Sequence, residues 1–185
     1  MTGLPPDLEA VCVHRSHAVD GCLSNVWYSQ CDQYRYGLSR LWDTGKRTAL
    51  FIMLNPSTAD EHRNDPTVAR CETRARSMGF GGVMVANLFA FRATRPQDLK
   101  MAKNPEGDWN DAVLRHWVRH AGMTVAAWGV HGRHQNRGID VARGLGAPVY
   151  HLGLTKEGHP RHPLYVSFDT EPVLWPDKDR YIVWR

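Results

Sequence analysis

Three short stretches of this chain carry side chains that could act together on a nitrogen heterocycle. Leu54-Asn55-Pro56-Ser57-Thr58 places an amide directly after an apolar run. Such an amide holds a water or bonds a ligand, or it closes the strand as an ordinary Asn-Pro turn. Asn87 ends a second apolar run, with Phe89 and Phe91 close behind. One amide offers a donor pair and an acceptor, enough to read the edge of a pyrimidine, and a neighbouring Phe can stack on the ring. The alternative is a buried Asn bonded to loop backbone beside two core phenylalanines. His159-Pro160 and His162-Pro163 share one late loop. An imidazole there stabilises an anion forming on a leaving group, or it packs into a rigid surface loop. Arg92, Arg95, Arg133, Arg137, Lys156 and Arg161 lie near these stretches. On one shared face they would track a phosphate backbone; taken singly, each is a solvated surface cation.

Other chemistries find less support. The chain has no GxGxxG, Walker-type phosphate loop, GxSxG or HExxH. Cys12, Cys22, Cys31 and Cys71 form no CxxC pair and read as free thiols. His14 and His17 with Cys12 and Cys22 form a weak metal pattern, and no metal or other cofactor is expected. Asp60, Glu61 and Asp65 bind a divalent ion, act as bases, or form a solvated loop.

Composition is that of a globular protein: 185 residues, 42% hydrophobic and 23% charged. A net charge of +4 favours a polyanionic partner, but no run of basic residues forms a tail. No stretch approaches the roughly 18 consecutive apolar residues of a membrane span. The first residues show no signal-peptide pattern, so the expected location is cytoplasmic and no membrane partner is expected.

The elements that must position these side chains follow from periodicity. Residues 1–30 read as irregular. Residues 34–42 alternate, residues 43–45 read as a turn, and residues 47–54 are near-continuously apolar; together they suggest an N-terminal β-hairpin. Asp65-Pro66 starts a helix that Gly79 stops. Residues 83–88 form a buried strand, Pro96 opens a short helix, and Trp109, Val113, Leu114 and Trp117 mark an amphipathic helix. Residues 125–128, 135–145 and 149–152 continue as strand, helix and strand. The alternation predicts one α/β domain over residues 1–185, a three-layer α/β/α sandwich with a central, mostly parallel sheet. Ligands then bind at the carboxyl ends of the strands.

The phrases LNPSTAD, NDPTVARC, NLFAFRAT and HPLY resemble an uncharacterised bacterial and phage family of unknown function, number 1643. More distantly, the order of Leu-Asn-Pro, Asn-Leu, Ala-Trp-Gly and His-Pro is similar to the uracil-DNA glycosylase superfamily. The resemblance implies a glycosylase-like core over residues 31–166, with residues 167–185 as an extension. It implies a DNA glycosylase in which Asn55 positions water, Asn87 reads the base and His162, with His159 as its rival, stabilises the departing base. Pro56 and Pro163 stiffen their loops, and Phe89 or Phe91 stacks. Arg92, Arg95, Arg133, Lys156 and Arg161 line the DNA backbone. Asn55 stands where efficient members carry a carboxylate, which implies slower chemistry. Ser57 stands where uracil-specific members carry Tyr, leaving space for a C5 substituent on a pyrimidine. The implied partner is DNA, bound by a monomer. The competing readings are a non-catalytic nucleic-acid binder and an N-glycosidase of free nucleotides.

Overall fold

Val13–Val19 (β1) and Cys22–Tyr28 (β2) form an antiparallel hairpin closed by Asp20-Gly21. Both turn residues have positive φ, 49° and 73°, the type I′ geometry whose twist matches the strands it joins. The segment expected to be irregular is therefore a hairpin, preceded by a short helix at Pro6–Glu9 (α1). The computed structural model describes residues 3–175.

Arg35–Leu41 (β3) continues the meander against β2. Trp27 faces Gly37 while Tyr28 faces Arg35, so Tyr36 is an extra residue, a β-bulge. Thr48–Met53 (β4) is buried along its whole length. Its side chains alternate between two cores: Leu50 and Ile52 join one, Ala49, Phe51 and Met53 the other. Full burial of each large residue contributes about 1.5–3 kcal/mol.

The expected hairpin of β3 with β4 does not form. Gly82–Asn87 (β5) inserts between them, antiparallel to β3 and parallel to β4. Asp43-Thr44-Gly45 suggests a tight turn, but a two-sided apolar strand such as β4 finds fuller burial between parallel neighbours.

Pro66–Ser77 (α2) connects β4 to β5 and is capped by Asp65, whose carboxylate accepts from Thr67 N and Val68 N at 3.0 and 2.9 Å. Such a cap contributes about 1 kcal/mol. Met78 and Gly79 (φ 79°) end the helix. Pro96–Met101 (α3) and Asn110–His120 (α4) lead to Met123–Ala126 (β6), parallel to β4 on its other side. Arg137–Gly144 (α5) leads to Tyr150–His151 (β7), parallel to β6. Val173–Leu174 (β8) pairs antiparallel with β7.

The sheet order is β1-β2-β3-β5-β4-β6-β7-β8. The sheet is mixed rather than mostly parallel: β5-β4-β6-β7 is a parallel centre, and antiparallel strands flank it on both sides. Alternation of β and α after residue 48 predicted the centre but carried no information on the meander before it. Helix α2 packs with one core, and α1, α4 and α5 pack with the other. Trp117 and Val113 are buried as expected, whereas Trp109 is 40% exposed at the start of α4. Trp175 is buried, and Trp184 lies outside the described residues.

Candidate functional site

The chain leaves β4 toward β5 on one side and later returns to β6 on the other. Helices then depart in opposite directions from the carboxyl end of β4 and leave a crevice there. That crevice is a cleft of about 600 Å³. Its walls include Met53, Leu54, Asn55 and Ser57 from the end of β4, Asp65 from the α2 cap, Trp128 and Gly129 after β6, and Arg161, His162 and Tyr165 from the late loop.

Asn55 is held at the rim. Its amide nitrogen donates to the carbonyls of Pro56 at 3.0 Å and Ala93 at 2.6 Å. Both N–H groups are thereby engaged, and Oδ1 remains as the acceptor for a ligand or water.

His162 caps a short 3-10 turn, Pro163–Tyr165, and its Nδ1 accepts the Leu164 N–H at 3.3 Å. In the neutral ring the proton then resides on Nε2, a donor. Burial pushes the imidazole below its ordinary pKa, opposed by the nearby Asp65 carboxylate. At neutral pH the ring is therefore an uncharged hydrogen-bond donor.

The late loop is anchored from α2. Arg70 donates to the carbonyls of Pro163 and Val166, and Arg74 to those of Val166, Ser167 and Thr170. The loop after β4 is anchored from β3: Arg35 donates to Ala59 O, and Arg40 to Asp60 O and Asn64 Oδ1.

The remaining sequence candidates distribute unevenly. Asn87 is wholly buried and does not line the cleft; it pairs in the ladder with Met53, which does. Neither polar atom of its amide has a partner among the described residues. Pro56 is buried behind Asn55, and its carbonyl also accepts Ala93 N–H. Phe89 cannot stack on a ligand: it is buried in the core beside His134, because residues 87–90 remain within the packed interior. Phe91 packs edge-to-face on Tyr34 and lines a neighbouring hollow of about 630 Å³. That hollow meets the cleft at Ser57, Ala93 and Thr94.

Of the cations, Arg161 lines the cleft, with its Nε on Leu154 O. Arg92 lines the second hollow, donating to Asp32 O and lying over Tyr28. Arg95 is paired with Asp98. Arg133 and Lys156 are exposed. His159 is buried, away from the cleft lining.

Sequence reading misses Arg35, Trp128 and Tyr165 among the lining residues, and offers Asp65 only as a base, an ion ligand or a solvated loop residue. Asp65 carries a signal in its Asp-Pro helix start, whereas Arg35 is one of two arginines in β3 and nothing local sets it apart from Arg40. Among the described residues no group of His, Cys, Asp and Glu is placed to hold a metal, and no helix is long and apolar enough to cross a membrane.

Together these features define a mixed α/β protein with a cleft at the switch point of its sheet. A family described as "Protein of unknown function (DUF1643)" matches residues 35–164, and the chain belongs to that family. No curated protein and no solved structure matches it.

Proposed function

We propose that the protein is a DNA glycosylase of uracil-DNA-glycosylase-like architecture, acting on a flipped pyrimidine. The observation that carries this reading is that Asn55 and His162, from opposite ends of the α/β core, line one cleft with complementary roles: a free acceptor and a neutral donor.

The target nucleotide leaves the stack at a cost of a few kcal/mol. Tyr165, 81% exposed at the cleft mouth beside His162, offers a ring for stacking in place of Phe89. The C1′–N bond breaks and its electron pair leaves with the base. His162 Nε2–H donates to the base oxygen where that charge collects, a type of contact worth roughly 3–4 kcal/mol. A water held by Asn55 Oδ1 attacks C1′. Asp65 supplies the negative charge that Asn55 lacks: its Oδ1 accepts the helix N–H groups, and Oδ2 is available for the water's proton. Asn87 reads the base edge once the flexible Met53 side chain yields to the ligand. Arg161, Arg133 and Lys156 contact DNA phosphates.

The second hollow, opening at Ser57, gives room beside the base and favours a C5-substituted pyrimidine as substrate. The test is incubation with duplexes carrying uracil, thymine mismatches, hydroxymethylcytosine and glycosylated cytosine, followed by alkaline cleavage. Strand breaks at the modified base, lost in Asn55→Ala and His162→Ala, are expected; full activity in both variants excludes the mechanism.

A further inference from the structure

Arg35 is a cation folded into the interior with little to hold it. It is 1% exposed; Nη1 donates to Ala59 O at 2.7 Å, and Nε has no partner among the described residues. Among the described residues no carboxylate lies within ion-pair distance of it. The other buried arginines differ. Arg40 donates to Asn64 Oδ1 and to the Ser39 and Asp60 carbonyls, Arg74 is surrounded by carbonyls, and Arg137 pairs with Asp111 and Glu106.

Burial lowers the Arg35 pKa to about 10, so the group stays cationic at neutral pH. Asp65 attracts it from beyond contact distance, while Arg92 and Arg40 repel it. A buried, underbonded charge is a net cost to folding, and apolar replacements of such groups are often neutral or stabilising. The bulge at Tyr36 is what turns Arg35 onto the α2 face of the sheet, where it lines the cleft. The backbone thus departs from regular pairing to deliver this side chain to the site.

We infer that Arg35 is an anion-binding group at the inner end of the cleft, taking an anionic oxygen of the ligand. This deepens the reading above, since a departing base carries such an oxygen; a phosphate carries the same chemistry. A planar guanidinium with free N–H groups suits either.

Three probes separate the sources: 5-nitrouracil, which is anionic at neutral pH, uracil, which is neutral, and inorganic phosphate. Binding is measured by calorimetry on the intact protein. The expected result is 5-nitrouracil bound at least tenfold tighter than uracil, with that preference lost in Arg35→Met and Arg35→Gln. Phosphate bound in an Arg35-dependent way, with neither pyrimidine bound, supports the anion site and assigns it to phosphate. Equal binding in parent and variants, or no binding of any probe, overturns the inference. Arg35→Met should melt no lower than the parent; if it fails to fold, Arg35→Gln, which keeps a donor toward Ala59, decides on binding alone. Excision is assayed separately. A protein that holds the anion through Arg35 but cuts no duplex sinks only the glycosylase reading.

Discussion

The side-chain amide of Asn55 donates to the carbonyl of Ala93 across 2.6 Å, tying the end of β4 to the loop after β5. The same nitrogen donates to Pro56 O, so two carbonyl oxygens converge on it. Asn55→Asp would set a carboxylate against both. It should destabilise the protein by about 1–3 kcal/mol, more than Asn55→Ala does. Urea unfolding compares the two, and an Asp variant as stable as the parent would contradict this amide geometry.

The arginines of α2 hold the loop that carries His162. Arg70→Ala removes the bonds to Pro163 and Val166 without touching the cleft. We expect a loss of about 1–2 kcal/mol in stability. Protease cleavage near residues 163–168 should rise, and single-turnover excision should slow at saturating DNA. Unchanged cleavage in that loop would show the anchor to be idle.

Gly37 has room for no side chain: a Cβ there would enter the Trp117 ring, which is itself buried against Trp27. Gly37→Ala should cost roughly 1–3 kcal/mol through overpacking. It should also disturb the bulge that aims Arg35. A melting temperature equal to the parent's is the contrary outcome.

Ser57 sits where the cleft meets the second hollow. Ser57→Tyr should close that passage and reduce excision of C5-substituted pyrimidines at least tenfold, with less effect on uracil. An equal effect on both substrates means the hollow does not serve the base.

Burial lowers the His162 pKa, so the unfolded chain takes up the proton first. The stability tied to neutral His162 is complete above about pH 6.5 and declines as pH falls below it. Excision should fall over the same range, because the cation has no lone pair for the Leu164 N–H. Rate and melting temperature against pH, compared with His162→Gln, test this; an acid limb that persists in the variant assigns it elsewhere.

Much of the α/β half was legible in the sequence. The Asp65-Pro66 start and Gly79 stop of α2, and the buried runs of β4 and β5, follow from local chemistry. Pairing was harder to read. Nothing local says that β5 separates β3 from β4, since both orders bury the same apolar residues. The β1–β2 hairpin had its signal in Asp20-Gly21, but the strand before it carries His14, Arg15 and His17 and lacks apolar alternation. In the site, Asn55 and His162 were readable from strand ends and loop. Phe89 was not, because whether an aromatic faces a core or a ligand depends on packing across the sheet. Arg35 was hidden because a bulge reverses the face a residue occupies.

The insertion of β5 between β3 and β4 also orders events during synthesis. The first three strands are neighbours in sequence and can zip together as they leave the ribosome. The outer edge of β3 then waits, uncovered, until residues 82–87 arrive. A nascent chain stalled in α2 would therefore present an open strand edge to other chains, and aggregation should peak at that length.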